Sequence, residues 1–203
     1  ALACLLLLGA CGEGSAAAKG ASAAVAPLSA AAPAAASAPV PAAADATAAQ
    51  LARSMVPGIN LGNTLEAWNG TGPFPHAASQ ETWWGNPAVT QAIFDAYAAA
   101  GFRSVRIPVA WDQYASAGGT IAPFWMARVK QVVDMARAAG LVVMINAHWD
   151  GGWIDATPAA QAGVNAKLAN YWTQIANAFK DYDHRVIFAG TNEIQSSLEQ
   201  WVA

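Results

Sequence analysis

Four short apolar runs recur along the chain, and each leads to a residue able to do chemistry. Residues 59–61 lead to Asn63, and Val105 and Ile107 flank Arg106 and lead to Pro108 and Trp111. Residues 141–145 end at Asn146 and His148, and residues 186–188 lead to Asn192 and Glu193. Each run has the length of a strand, and the segments between runs are long enough for helices. Strand and helix in alternation build a parallel sheet. In a (β/α) barrel the reactive groups sit at the C-terminal ends of the strands. Polar residues repeated at all four strand ends therefore have the pattern of an active site.

Helix signals fall between the runs. A short helix is expected over about 45–55, broken by Pro57 and Gly58. Asn86-Pro87, an N-cap residue followed by proline in the first turn, predicts a helix that runs to about Ala100 and stops at Gly101. A second helix is predicted from near Pro123 to Gly140, with Trp125, Val129, Val132, Val133 and Ala136 on one face. A third repeats that spacing with Leu168, Trp172, Ile175, Ala176 and Phe179. A complete (β/α)8 barrel takes roughly 250 residues. Residues 45–203 are thus expected to be the N-terminal half of such a domain, about four β/α units, with a four-stranded open sheet as the alternative.

The first 44 residues follow another logic. Residues 5–10 are apolar, and Leu8-Gly9-Ala10-Cys11 resembles the lipobox of a bacterial lipoprotein signal peptide, in which Cys11 would carry the lipid. The run is too short to span a membrane. Residues 12–44 are rich in Ala, Pro and Ser, and Pro27, Pro33, Pro39 and Pro41 break any long helix, so a disordered tether is expected. Cys4 and Cys11 are the two cysteines, which leaves none for a disulfide in residues 45–203. This organisation implies a secreted or cell-envelope protein held by a lipid anchor. A formal net charge of −3 gives no basic surface for nucleic acid.

Glu193 is the strongest single candidate for catalysis. A carboxyl at a strand end, preceded by Asn192, can protonate a leaving oxygen when its environment holds the proton. An arbitrary loop glutamate would be a solvated charge, and the strand-end context is what sets this one apart. Arg106, inside a strand of valine and isoleucine, needs a partner or costs several kcal/mol; a structural ion pair and a catalytic carboxylate would both serve. His148 follows an apolar strand and precedes Trp149 and Asp150. His76, His148 and His184 lack metal-ligand spacing, so neither a metal nor a cofactor is expected. Of the nine tryptophans, Trp68, Trp83, Trp84, Trp111, Trp149 and Trp153 fall in strand-to-helix loops. An indole is an apolar plate with a polar edge, which suits the apolar face and polar rim of a sugar ring. Trp125 and Trp172 lie on helix stripes and read as core.

These motifs, taken in order, resemble glycoside hydrolase family 5, the cellulase family. Residues 58–67, GINLGNTLEA, look like its first-strand signature, and residues 81–87, ETWWGNP, like its next segment. Residues 105–111, VRIPVAW, match the second strand, Ile145-Asn146-Ala147-His148 the third, and Thr191-Asn192-Glu193 the fourth. The resemblance implies a TIM barrel and a retaining mechanism with two glutamates. By motif position Glu193 would be the general acid/base, and Asn192 would contact the sugar 2-hydroxyl. Arg106 would support the nucleophile, and His148 would line the subsite of the cleaved sugar. Asn63, Trp68, Trp84, Trp111, Trp149 and Trp153 would bind the glycan. The second glutamate follows the seventh strand in that family, so residues 45–203 by themselves are expected to be inactive.

Three positions depart from the family's common pattern: Ala189 where Glu is usual, Trp149 where a second His is usual, and Ile194 where Pro is usual. They leave the subfamily open. The expected activity is endo-hydrolysis of β-1,4-glucan by a monomer, with mannan and xyloglucan as alternative substrates. A non-catalytic carbohydrate-binding lipoprotein is the rival reading. A metal-dependent hydrolase is disfavoured by the missing ligand clusters.

Overall fold

A computed structural model describes residues 46–70, 72, 76–149 and 151–194. The expected signal segment, the lipidation position Cys11 and the tether lie outside the described residues. The elements in chain order are α1 (Ala48–Ser54), β1 (Gly58–Asn60), α2 (Ala77–Glu81), α3 (Gln91–Ala99), β2 (Ser104–Ile107), α4 (Pro123–Ala138), β3 (Val142–Asn146), α5 (Gln161–Phe179) and β4 (Val186–Ala189). A single 3₁₀ turn, Asp112–Tyr114, follows β2. The four strands form one parallel sheet in the order β1-β2-β3-β4. Neighbours in sequence are neighbours in the sheet, as in a singly wound barrel.

Residues on a strand alternate between two faces. Val105, Ile107, Val143 and Ile145 point one way and are fully buried under the helices. In the alternate set, Asn60, Arg106 and Met144 lie side by side in register and are only partly covered or exposed. The sheet therefore has a sealed helix-facing side and an accessible inner side, and Arg106 stands on the accessible one.

The helix ends are local chemistry. Thr47 caps α1 reciprocally: its hydroxyl accepts from the Gln50 N–H at 3.2 Å, and the Gln50 side chain accepts from the Thr47 N–H at 2.8 Å. Helices α3 and α4 both close in a left-handed glycine. Gly101 has φ +92° and Gly140 φ +82°, and the next N–H, of Phe102 or Leu141, reaches back to Tyr97 or Ala136. Trp125, Val129, Val132, Val133 and Ala136 of α4 are buried, as their spacing predicts.

Two helix expectations need correction. The helix after Asn86-Pro87 begins later, at Gln91. Tertiary bonds divert the segment: the Asn86 amide donates to the Gly62 carbonyl at 2.7 Å and the Asn63 carbonyl at 3.2 Å, and the Val89 N–H donates to Glu81 at 2.6 Å. On α5 the buried residues are Tyr171, Ile175 and Phe179, with Leu168 and Trp172 half-covered and Ala176 exposed. The helix is turned slightly from the expected stripe, because Tyr171 fills the space beside Trp153.

The segment between β1 and α3 is pinned to α4 by a buried ion pair. Glu81 is fully buried; its Oε1 accepts from Arg128 Nε at 2.7 Å and its Oε2 from Arg128 Nη2 at 2.8 Å. The same Nη2 donates to the Val89 carbonyl at 2.8 Å.

Candidate functional site at the strand ends

Arg106 is the hub. Its Nη1 donates to Asn60 Oδ1 at 3.1 Å, and its Nη2 donates to Asn192 Oδ1. One guanidinium thus joins β1, β2 and the turn after β4, which answers the need for a partner with two neutral amides. Asn192 is fixed in consequence: with its oxygen held by arginine, its Nδ2 is a buried donor with no hydrogen-bond partner among the described residues. A buried donor left unpaired costs about 1–3 kcal/mol, a deficit that an incoming hydroxyl oxygen would remove. Glu193 follows at once, exposed, with φ +55°. A left-handed non-glycine residue costs roughly 1–2 kcal/mol, and such outliers gather at functional sites.

His148 lies past the end of β3, half-buried. Its Nδ1 is 3.2 Å from Asn146 Nδ2. Burial first, and then the charge of Arg106, hold its pKa below the usual 6.5, while Glu193 pulls the other way. The electrostatic coupling gathers Arg106, His148 and Glu193 with Asn192 at one place, as the sequence predicts.

Glu66 lies within the GINLGNTLEA motif, in the loop after β1. It is 5% exposed, and its carboxylate accepts the N–H groups of Asn63 at 2.5 Å and Thr64 at 2.8 Å. Burial pushes its pKa above 4.5, against those bonds and the charge of Arg106. Asn63, expected to bind glycan, sits at φ +61°. Asparagine tolerates that conformation better than most residues, so the backbone explains this side chain before any ligand does. The signal was in the sequence: a carboxylate three residues after an asparagine in a turn.

The tryptophans divide. Trp149 is 37% exposed and meets Trp68 edge-on, ring centroids 5.5 Å apart. Gly151, at φ +87°, lies under Trp68, where an added Cβ would come within 3.4 Å of the ring. Trp149 and Trp153 line a cleft of about 220 Å³ with Asn192, Glu193 and Asp155. Trp153 is backed by Lys167, whose ammonium is 4.8 Å from the ring centroid and pairs with Asp112. The Tyr171 hydroxyl donates to the same Asp112 at 2.5 Å. Trp84 is 46% and Trp83 54% exposed. Trp111 corrects the expectation: it is 1% exposed and its Nε1 donates to the Asn146 carbonyl at 2.9 Å, so it is core and offers no face to a glycan. Trp125 is core as expected, and Trp172 is half-covered, its Nε1 donating to the Gly190 carbonyl at 3.0 Å. A second cavity of about 350 Å³ adjoins the cleft; its lining includes Ile154, Pro158, Val164, Leu168 and Ile194 beside polar residues such as Thr157 and Gln161. It is more apolar, and Asn192 and Glu193 line the smaller cleft and not this one.

The profile of the cellulase family (glycosyl hydrolase family 5) matches residues 68–203. The chain is 41% identical over 163 residues to endoglucanase A of Clostridium longisporum, covering 76% of this chain and 31% of that protein. It is 42% identical over 153 residues to a xyloglucan-specific endo-β-1,4-glucanase of Bacteroides ovatus, covering 74% and 30%. A solved family 5 enzyme of Prevotella bryantii, in complex with a xyloglucan tetradecasaccharide, superposes with a TM-score of 0.70 at 40% identity, covering 73% of this chain and 44% of that one. The chain spans about a third of the length of these two curated relatives. Its sequential parallel sheet is the first four β/α units of a (β/α)8 barrel.

Proposed function

Since the chain belongs to glycosyl hydrolase family 5, the cellulase family, we propose that it carries the acid/base side of an endo-acting β-1,4-glucanase. The observation that carries this reading is Asn192: its oxygen is held by Arg106 and its buried amide donor is unpartnered among the described residues, immediately before the strained, exposed Glu193. Glu193 would protonate the glycosidic oxygen as the bond breaks, and then act as base towards the water that completes hydrolysis. Asn192 would donate to a hydroxyl of the sugar being cleaved, and Arg106 would keep that donor aimed. Retention needs a second carboxylate about 5–5.5 Å from the first, expected after a seventh strand of the full-length protein.

The substrate class follows from the relatives and the cleft together. One relative is an endoglucanase and another a xyloglucan-specific endo-β-1,4-glucanase. Trp149, Trp153 and Trp84 supply exposed or half-exposed aromatic faces for a chain of sugar rings. Both plain and substituted β-1,4-glucans are proposed substrates. A lipid anchor at Cys11 and a place on the cell envelope complete the proposal, supported by Leu8-Gly9-Ala10-Cys11 and the Pro- and Ala-rich stretch that follows.

The test is Glu193→Ala in the full-length protein. General acid catalysis is typically worth ~10²–10⁴-fold, so hydrolysis of polysaccharide should fall by about that factor. An aryl glycoside, whose leaving group needs little proton assistance, should lose less in the bond-breaking step. Azide needs no base and should restore turnover, giving a β-glycosyl azide. Parallel losses on both substrates without azide rescue, in a folded variant, would reject the assignment.

A further inference from the structure

We infer that Asn146 is a positioning residue that sets the tautomer of His148, holding the imidazole with its hydrogen on Nε2. Its use in catalysis rests on the hydrolase reading above; its geometry does not. Asn146 is fully buried at the end of β3. Its side-chain oxygen accepts the Val109 N–H at 3.1 Å. That donor can only give a proton, so the oxygen, and not the NH₂ group, must face it. The NH₂ is left facing His148 Nδ1 at 3.2 Å. An amide NH₂ only donates, so Nδ1 must accept, and a neutral imidazole that accepts at Nδ1 carries its hydrogen on Nε2.

The backbone around this pair leaves it little freedom. The His148 N–H donates to the Val109 carbonyl at 2.9 Å, so Val109 holds both members, one through each of its peptide groups. Trp111, itself buried, donates to the Asn146 carbonyl at 2.9 Å. Rotating the amide would set the Val109 N–H against an NH₂ group and leave Nδ1 against an oxygen. Placing a proton on Nδ1 without rotation would set two donors head to head. Among the described residues, the charged groups acting on the ring are Arg106 from β2, which opposes an imidazolium, and Glu193 after β4, which favours one. Glu66, in the loop after β1, acts on Arg106. The ring therefore offers an N–H at Nε2 without adding positive charge beside the acid/base.

The experiment is histidine-¹⁵N NMR of the folded protein without substrate, the His148 signals being identified by their loss in His148→Gln. The wild type should show an acceptor shift at Nδ1 and a protonated Nε2. Asn146→Asp keeps an oxygen for Val109 and sets a carboxylate oxygen against Nδ1. That variant should carry the hydrogen on Nδ1 and titrate at least one pH unit higher. A wild-type ring protonated at Nδ1 overturns the inference, even if the variant does not fold. So does a folded Asn146→Asp whose tautomer and titration are unchanged, which would make Asn146 a packing residue only. Because none of these readouts is an activity, failure of the Glu193→Ala test would leave them intact, and the reverse also holds.

Discussion

Removing Arg128 should cost more stability than any surface charge on this chain. Glu81 is fully buried and Arg128 is 18% exposed, with two guanidinium bonds at 2.7 and 2.8 Å. In Arg128→Met the Glu81 carboxylate keeps the Val89 N–H bond at 2.6 Å and loses its counter-charge. Breaking a buried pair by deleting one partner costs about 3–5 kcal/mol. At ~2–4 °C per kcal/mol for a chain of this size, the melting temperature should fall by roughly 6–20 °C. Glu81→Gln/Arg128→Met removes both charges, keeps an amide oxygen for the Val89 N–H, and should recover part of the loss, since no charge is then buried unpaired. Urea unfolding followed by tryptophan fluorescence measures the midpoints, with an unchanged slope required for the comparison. The pair also anchors the segment bearing Trp83 and Trp84, so the single variant should bind β-glucan more weakly. A loss under ~1 kcal/mol in Arg128→Met, the range of exposed pairs, would refute the reasoning. So would a double variant as unstable as the single one.

Three further outcomes are expected. Lys167→Met removes the ammonium behind Trp153 and the counter-charge of Asp112; KM for polysaccharide should rise several-fold with kcat little changed, and an unaltered KM in steady-state kinetics would show that Trp153 needs no backing. Asp183 is held down to about 2, first by the Arg185 hydrogen bonds. Because its folded-state value lies below the ordinary 3.8, its stabilisation is complete above that pH and is lost as pH falls towards 2. Its side chain is 41% exposed, so screening limits the effect to ~1 kcal/mol or less; Asp183→Asn should lower the urea midpoint near neutrality but not at the acid end. Finally, mass spectrometry of the mature full-length protein should find a lipid-modified N-terminus at Cys11, and an unmodified start well downstream would reject the anchor.

Much of the fold was legible because its signals are local. The strand runs, the glycine stops of α3 and α4 and the buried stripe of α4 depend on residues a few positions apart, and the structure agrees with them. Errors arose where distant residues intervene. Asn86 has the look of a cap but spends its amide on carbonyls 23 and 24 positions back. Trp111 has the loop placement of a platform, yet Asn146, 35 positions on, draws its indole N–H inward. Glu66 lacked any pattern beyond its turn, since its meaning depends on burial and on Arg106 across the sheet. Arg106, Asn192, His148 and Glu193 were readable as a set because strand ends in a barrel converge by topology.

The bridge from Arg106 to Asn192 spans 86 positions, and that to Asn60 spans 46. Ring closure over 86 residues costs ~3 kcal/mol more in chain entropy than closing a helical turn. Helices with their own caps can form early in folding, but this bridge waits until the fourth strand has docked. Until then the guanidinium lacks its far partner, and the asparagine that it aims has no fixed direction. A ligand that needs Asn192 would therefore report that the sheet is formed as far as β4.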